Sequence, residues 1–225
     1  MRKPFKSETW PYSPKPTAQP SVKQCPSTKQ SFEPTTLRPL MYHPIVQGTG
    51  DKLTVLITRE QIAAKVVEMG VRITTDFAGQ SVVLIGVLRG AAIFLADLAR
   101  QIDLDVSFDF IAVSSYGNSK QSGEIKLIKD VDDSLEGRNV ILVEDILDSG
   151  VTLTYIRKLL LARQPRTFKV AALLDKVAAR KVPAQADYVG FQIPDQFVVG
   201  YGLDFGQRYR NLPHVCIMET HSDGN

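Results

Sequence analysis

Three runs of almost uninterrupted apolar residues constrain the fold of this chain more than any other feature. They occupy residues 81–88 (SVVLIGVL), 139–143 (NVILV) and 168–174 (FKVAALL). Strands that are buried on both faces of a parallel sheet have this composition, whereas strands with one face in water alternate apolar and polar residues. The three runs therefore predict central strands of a parallel sheet.

Helical patterns separate these strands. Thr58 and Gln61 have the spacing of a capping box, and apolar residues follow them at helical intervals. Residues 91–101 (AAIFLADLARQ) predict a second helix, and a third runs from the turn at Gly150 to Arg163. Strands that alternate with helices predict one α/β domain, in which helices cover both faces of a parallel-sheet core.

Shorter segments complete this predicted domain. Residues 104–113 are rich in β-forming residues, residues 125–128 predict a short strand, and residues 132–137 predict a turn. Residues 114–124 (SSYGNSKQSGE) form a polar stretch with two glycines as possible hinges. Such a loop is a candidate lid over an active site.

The first 45 residues differ in composition from the rest of the chain. They contain nine of the 13 prolines, with seven basic and two acidic residues. Such a segment buries too little apolar surface to offset its ordering entropy. We predict a disordered, proline-rich basic tail over residues 1–45 and a folded domain over residues 46–225. A transit peptide is the alternative, although the prolines prevent an amphipathic helix, and Met41 is a candidate translation start.

Charge and cysteine content disfavour several classes of function. The formal net charge is +3, but the tail contributes +5, which leaves −2 on the predicted domain and disfavours a basic face for nucleic acid. No apolar run reaches the roughly 18 residues of a membrane-spanning helix. Cys25 and Cys216 lack the CxxC spacing of zinc sites, and two isolated thiols favour a reducing, cytoplasmic location.

The segment 140–153 (VILVEDILDSGVTL) carries the strongest functional signal. In it, a buried strand leads into a Ser-Gly-x-Thr turn that opens a helix. Ligands of open parallel sheets bind beyond the carboxyl ends of the strands, and a helix N-terminus offers unpaired N–H groups and a positive dipole end to a phosphate. Gly150 allows the backbone to approach closely, and Ser149 and Thr152 add hydroxyl donors. The turn is therefore a candidate phosphate site.

Glu144 and Asp145 stand just before this turn and cannot serve the phosphate, because like charges repel. Carboxylates beside a phosphate are suited to accept hydrogen bonds from ribose hydroxyls or to support a metal ion. Asp148 follows them and would lie near the reacting end of a bound phosphoribosyl group. The alternative is that Asp148 and Ser149 only cap the following helix.

The segment 140–153 resembles the phosphoribosyl-pyrophosphate signature of type I phosphoribosyltransferases, in the form found in the hypoxanthine-guanine phosphoribosyltransferase family. Four further segments are similar to that family, in the same order along the chain: GVLRGA (86–91), SSYG (114–117), LLDK (173–176) and FQIPDQFVVGYGLDFGQRYRNLPHV (191–215). The resemblance covers residues 50–220. It implies the type I phosphoribosyltransferase fold, an α/β parallel-sheet core with a small C-terminal hood.

The resemblance also implies a reaction of purine salvage. The 5-phosphoribosyl group of phosphoribosyl pyrophosphate would pass to N9 of hypoxanthine or guanine, with Mg²⁺, giving IMP or GMP and pyrophosphate. Asp148 is the implied catalytic residue, because it would handle the proton at purine N7. The implied contacts to the ribose and 5-phosphate are Glu144, Asp145, Asp148, Ser149, Gly150, Val151 and Thr152. The resemblance further implies a homodimer or homotetramer.

The remaining implied roles divide between pyrophosphate, purine and metal. The implied pyrophosphate contacts, which include a non-proline cis peptide, are Leu88, Arg89, Gly90, Ser115, Tyr116 and Arg210. The implied purine contacts are Lys176, Phe197, Val198 and Asp204. The implied magnesium ligands are Glu144, Asp145 and Asp204. Arg89 stands where many family members have lysine, and arginine also donates to phosphate.

From the residues alone, the later assignments have simpler alternatives. A lysine at a strand end, such as Lys176, is usually solvated. Phe197 stands in an apolar stretch that suits a core position, and Asp204 and Arg210 suit a surface ion pair.

Two other functions also remain open at this level. One is a transferase of the same fold for xanthine or a pyrimidine, although residues 191–215 argue against a pyrimidine. The other is a non-catalytic regulator that binds a nucleotide or RNA, against which Asp148, Lys176 and the acidic domain argue.

Overall fold

A computed structural model of the protein describes residues 52–115 and 125–219, apart from the side chain of Ser115. The predicted tail and most of the predicted lid lie outside these described residues. In chain order the elements are β1 (Lys52–Ile57), α1 (Arg59–Asp76), β2 (Val82–Leu88), α2 (Ala92–Ala99), β3 (Val106–Ser115), β4 (Ile125–Lys129), β5 (Asn139–Leu147), α3 (Val151–Leu161), β6 (Thr167–Asp175), β7 (Tyr188–Gln192), β8 (Val198–Val199) and β9 (Val215–Glu219).

The central sheet has the order β4-β3-β2-β5-β6-β7 within the described residues. All neighbouring strands are parallel except β3 and β4, which are antiparallel. The three apolar runs form β2, β5 and β6, which lie side by side in its middle. The predicted parallel-sheet core is confirmed, with one antiparallel edge strand added.

Helices cover both faces of this sheet, as predicted. On one face, buried side chains of α1 and α2 pack with Leu84, Ile141 and Leu173. On the other face, α3 packs with Leu142 and Val170. Because β2, β5 and β6 are buried from both sides, their sequences lack the alternation of half-exposed strands.

The predicted capping box begins α1. The amide of Gln61 donates to Thr58 Oγ1 at 3.3 Å, and the Thr58 amide donates to Gln61 Oε1 at 2.8 Å. The box satisfies two backbone donors that a helix start would otherwise leave without partners. None of the helices in the described residues combines the length and apolar character needed to cross a bilayer.

A second, smaller sheet of order β1-β9-β8 forms the hood, together with residues 200–214. Both of its strand pairs are antiparallel, and Lys52 pairs with Glu219 at one end. One side of the hood joins the core under α1 and α2 through Tyr201 and Val215. The hood therefore includes β1, which the sequence analysis did not predict, as well as C-terminal residues.

One strand extends further than its apolar run suggests. The sequence predicts that the strand ends at Val143 and that the two acids follow it. In the structure, β5 continues to Leu147, because Glu144, Ile146 and Leu147 pair in register with Ala172, Leu174 and Asp175 of β6. Glu144 and Asp145 are thus fixed on a strand and do not belong to a loop.

Candidate active site

The candidate site lies at the carboxyl ends of β5 and β6. Residues 144–150, with Thr152 and Leu153, line a cavity of about 310 Å³. We call residues 147–152 the phosphate loop, because they contain the predicted phosphate turn. Gly150 caps α3 with φ of +82°, and a Cβ at this position would lie 2.7 Å from the Cβ of Ala184. Only glycine satisfies both the backbone angle and the close packing.

The carboxyl groups of Glu144 and Asp145, which are neighbours on β5, are both enclosed by protein. Glu144 is buried, and burial raises its pKa well above the usual value, with a further contribution from Asp145. Asp145 keeps partial exposure, but its carboxyl group is enclosed by protein, and this burial raises its pKa to about 6. Hydrogen bonds from backbone amides and the charge of Arg210 oppose the rise in the pKa of Asp145. Asp148, by contrast, is exposed.

Residues 88–90 pass between the strand acids and the hood. The Leu88–Arg89 peptide bond is cis, as the resemblance implies. A Cβ on Gly90 would lie 1.6 Å from Asp145 Oδ2, and a Cβ on Gly202 of the hood would lie 2.1 Å from the Gly90 carbonyl oxygen. The sheet edge, residues 88–90 and the hood are therefore in direct contact at two glycines.

Polar side chains of the hood extend this contact. Arg210 forms an ion pair with Asp204 at 2.6 Å and donates to the Gly202 carbonyl at 2.6 Å. Arg89 donates to Gln207 Oε1 at 2.8 Å, and the Gln207 amide donates to Asp204 at 2.8 Å. The predicted pyrophosphate residues Arg89 and Arg210 are thus linked through the hood.

Two predicted purine contacts, Lys176 and Phe197, do not have the surroundings that the simpler alternatives, a solvated lysine and a core phenylalanine, would give them. Lys176 is only 7% exposed, so it is not a solvated surface lysine, and its Nζ lies 3.8 Å from Asp195. Phe197 is 43% exposed, so it is not a core residue, and its ring packs edge to face on Phe205 at 5.7 Å. A buried ammonium group and an open aromatic face suit a polar planar ligand. Val198 is buried in β8.

Comparison with known proteins agrees with this geometry. The sequence model of the phosphoribosyl transferase domain family matches residues 56–206 of this chain. The hypoxanthine-guanine phosphoribosyltransferase of Bacillus subtilis is 49% identical over 166 residues, which cover 73% of this chain and 92% of the relative. The chain belongs to the hypoxanthine-guanine phosphoribosyltransferase family.

Solved structures of the family have the same fold. The hypoxanthine-guanine phosphoribosyltransferase of Bacillus anthracis matches with a TM-score of 0.70 and 45% identity, covering 75% of this chain and 99% of that one. A hypoxanthine phosphoribosyltransferase of Staphylococcus aureus matches with a TM-score of 0.72 and 42% identity, covering 76% and 94%. The predicted family and fold are confirmed.

A magnesium ion fits the donors of this phosphoribosyltransferase, although not as an all-protein cage. In the part of the chain that the structure describes, no three His, Cys, Asp or Glu side chains converge on one point. Of the three predicted ligands, Asp204 is paired with Arg210. Magnesium usually takes one or two carboxylates together with substrate phosphates and water. The adjacent carboxylates of Glu144 and Asp145 match that pattern, and a cation would relieve their repulsion.

Sequence reasoning missed one arginine that contacts the phosphate loop. Arg180 donates to the Leu147 carbonyl at 2.6 Å and to the carbonyl of Asp148. In the sequence it stands among Lys and Ala residues (KVAARK) that resemble an ordinary basic segment, so no local signal separates it from surface arginines. Tyr116 and the side chain of Ser115, both predicted for pyrophosphate, lie outside the described residues.

Proposed function

We propose that this chain transfers the 5-phosphoribosyl group of phosphoribosyl pyrophosphate to N9 of hypoxanthine and guanine, in a magnesium-dependent reaction of purine salvage. The observation that carries the proposal is the junction of β5 and β6. The amide of Lys176 donates to the Leu147 carbonyl at 3.0 Å, so a buried amine and the phosphate loop start from adjacent strand ends. A ligand in which one bond joins a purine to a ribose phosphate fits this arrangement, with the purine beside Lys176 and the phosphate at the phosphate loop.

The phosphate loop binds the 5-phosphate in this proposal. Ser149, Gly150, Val151 and Thr152 offer hydroxyls and the amides at the start of α3, whose dipole favours an anion. Glu144 and Asp145 accept hydrogen bonds from the ribose hydroxyls, directly or through the metal. The cavity of about 310 Å³ leaves room for the sugar beside them.

In this proposal pyrophosphate leaves from the side of the sugar opposite to the attacking purine. The amides of residues 88–90 and the guanidinium of Arg210 stabilise its charge as positive charge builds on the ribose ring. Bound magnesium would supply further charge neutralisation, and Asp204 supports that part of the site. The two glycine contacts set the position of residues 88–90 relative to Asp145. A site closed to water protects the activated sugar from hydrolysis.

Asp148 and Lys176 act on the purine. The exposed carboxylate of Asp148 accepts or shares the proton at N7, which makes the attacking ring more electron-rich. Lys176 carries three donors and no acceptor, so it matches a 6-oxo oxygen and opposes a 6-amino group. Phe197 stacks on the ring, and Val198 offers main-chain groups. Xanthine differs from hypoxanthine and guanine only at the 2-position of the purine, and it is the second candidate base.

Location and assembly complete the proposal. Cys216 is a buried free thiol in the hood, which suits the reducing cytoplasm. Val67 and Val71 of α1 and Ile93 of α2 are large apolar residues with substantial exposure, which supports a homodimer or homotetramer. Light scattering of the purified chain measures its mass directly, and a monomer at micromolar concentration would contradict this part of the proposal.

The test of the activity is an assay of the purified chain with hypoxanthine, guanine, xanthine and adenine, with magnesium or with a chelator. We expect product from hypoxanthine and guanine, negligible product from adenine, and loss of activity with the chelator. Equal use of adenine and hypoxanthine would contradict the role of Lys176. Binding of phosphoribosyl pyrophosphate without turnover of any base would favour a regulator.

A further inference from the structure

The guanidinium of Arg180 contacts the backbone of the phosphate loop and is not among the groups that line the cavity beside that loop. Its side chain is 16% exposed and forms an ion pair with Asp175, whose side chain is 10% exposed. Nε donates to the Ala184 carbonyl at 3.2 Å, and Nη1 donates to the carbonyls of Leu147 at 2.6 Å, Asp148 and Lys176 at 3.4 Å. The five N–H donors of one guanidinium are thus directed mainly at backbone oxygens.

Two neighbouring amides continue the same pattern. Lys181 and Val182 donate to the Ser149 carbonyl at 3.0 and 3.3 Å. Three consecutive carbonyls, those of residues 147–149, are therefore held by the segment that follows β6. Nothing in this set of contacts involves a side chain of the phosphate loop, so the segment acts on the backbone of the loop alone.

Peptide geometry gives these contacts a consequence on the opposite side. In a trans peptide the C=O of one residue and the N–H of the next point in opposite directions. Fixing the carbonyls of residues 147–149 toward Arg180, Lys181 and Val182 turns the amides of residues 148–150 away from that segment. Among the described residues, these three amides have no hydrogen-bond acceptor. Convergent free amides of this kind form an anion-binding concavity.

We propose that Arg180 is a positioning residue, which aims the amides of the phosphate loop at the 5-phosphate and links that loop to the purine side through the Lys176 carbonyl. The inference rests on the proposed function, because it takes the phosphoribosyl ligand from there. Arg180 does not touch the substrate. It stabilises one backbone arrangement that the loop sequence, with its flexible Ser-Gly pair, does not enforce by itself.

The decisive variant is Arg180→Lys, which keeps the charge but loses the planar fork that reaches several carbonyls together. The matched control is Arg157→Lys. Arg157 and Arg180 line the same cavity of about 770 Å³ beside α3, but Arg157 lies over the Phe168 ring at 5.7 Å and forms no hydrogen bond or ion pair with the phosphate loop among the described residues. The probes are IMP, which carries the 5-phosphate, and inorganic pyrophosphate with magnesium, which does not need the phosphate loop.

We expect Arg180→Lys to weaken IMP binding and to raise the KM for phosphoribosyl pyrophosphate by about 10- to 100-fold, the effect of one lost charge-assisted hydrogen bond. The kcat should fall much less, because an interaction made equally in the ground and transition states affects mainly KM. Pyrophosphate affinity should stay within about twofold, and Arg157→Lys should match the wild type in every measurement.

Four outcomes overturn the inference. Unchanged IMP affinity in Arg180→Lys excludes a positioning role, and equal losses for IMP and pyrophosphate indicate general disruption of the fold. If Arg180→Lys does not fold, Asp175→Asn decides, since it weakens the ion pair that holds Arg180. Asp175→Asn should weaken IMP binding with unchanged pyrophosphate affinity, and wild-type IMP affinity in it rejects the inference. A wild-type chain that binds no IMP and converts no hypoxanthine rejects the proposed function as well, which separates the two failures.

Discussion

The phosphate loop and the hood border the same site but are built in opposite ways. The loop consists of consecutive residues that connect β5 to α3, and its place follows from the carboxyl end of β5. The hood joins strands that are far apart in the chain, because Lys52 and Glu219, paired at 2.9 Å, are 167 residues apart. The proposed phosphate contacts therefore lie on one short stretch of chain, whose backbone Arg180 also holds, whereas the proposed pyrophosphate and purine contacts of the hood depend on long-range pairing.

The sharpest test of the local half is Asp148→Asn. This change keeps the shape of the side chain but removes the proton acceptor, and it leaves the start of α3 unaffected because Gly150 is the N-cap and no side chain caps that helix. We expect kcat to fall by about 10²–10⁴ and substrate affinity to change far less. Steady-state kinetics with hypoxanthine measures both quantities. An affinity loss with unchanged kcat would place Asp148 in binding alone.

Two substitutions compare the sheet and the hood at the purine. Lys176→Ala on the sheet side removes a donor matched to the 6-oxo group, so kcat/KM for hypoxanthine should fall by about 10- to 100-fold. The ratio of kcat/KM for hypoxanthine to kcat/KM for adenine should therefore decrease. Phe197→Ala on the hood side removes stacking, which treats all purines alike. Activity with hypoxanthine, guanine and adenine distinguishes the two patterns. A selective loss of 6-oxopurine use in Phe197→Ala would reverse the assignment.

The contact between the two halves is tested at Gly202. Its φ is +103°, and an added Cβ would lie 2.1 Å from the Gly90 carbonyl oxygen. Gly202→Ala must displace residues 88–90, so the KM for phosphoribosyl pyrophosphate should rise by about tenfold or more. Gly206→Ala is the control, because its φ is +57° with no atom within 4 Å of the added Cβ. The control should lose about 1–2 kcal/mol of stability from backbone strain and keep the wild-type KM.

The smallest expected effect concerns stability and pH at Asp145. Its pKa is about 6 in the folded protein against 3.8 for the free group, so between these values the folded state holds a proton that the unfolded chain has lost. Stability must then fall as pH rises from about 4 through 6. Asp145→Asn removes this effect and should unfold at higher urea than wild type at pH 7.5, by on the order of 2 kcal/mol without metal.

As the pH falls below 4, the stability advantage of Asp145→Asn should disappear, because the Asp145 carboxyl of the wild type then becomes protonated in the folded and in the unfolded protein alike. Asp133→Asn, on the exposed turn after β4, is the surface control. A gain that persists unchanged at low pH would show that packing, and not ionisation, explains the difference.

The sequence predicted what is local. Uninterrupted apolar runs located β2, β5 and β6, and the Thr58–Gln61 spacing located the start of α1, because each signal depends on neighbouring residues. The extension of β5 through Glu144 was not predicted, since two adjacent acids weaken the apolar signal while pairing with β6 maintains the strand. The loop at residues 149–152 was found because its Ser-Gly-x-Thr pattern is contiguous.

The rest depends on contacts that a linear pattern does not encode. The pairing of β1 with β9 joins two short segments whose alternation alone does not identify a partner. The burial of Lys176 follows from the packing of strand ends, and so the general rule that a lysine at a strand end is solvated does not apply to it. Arg180 acts through backbone carbonyls, and such acceptors are the same at every residue, which leaves no sequence trace. The roles of the predicted site residues remain predictions until the substitutions above are measured.

The pairing of β1 with β9 also affects how the protein emerges from the ribosome. Synthesis runs from β1 toward β9, and at about 5–20 residues per second the partner of β1 follows roughly 10–30 s later. During that interval the nascent chain makes β2, β5 and β6 in turn but cannot complete the hood. An unpaired strand such as β1 is a template for association with other chains. β1 should therefore need protection from association with other chains until residues 215–219 are made.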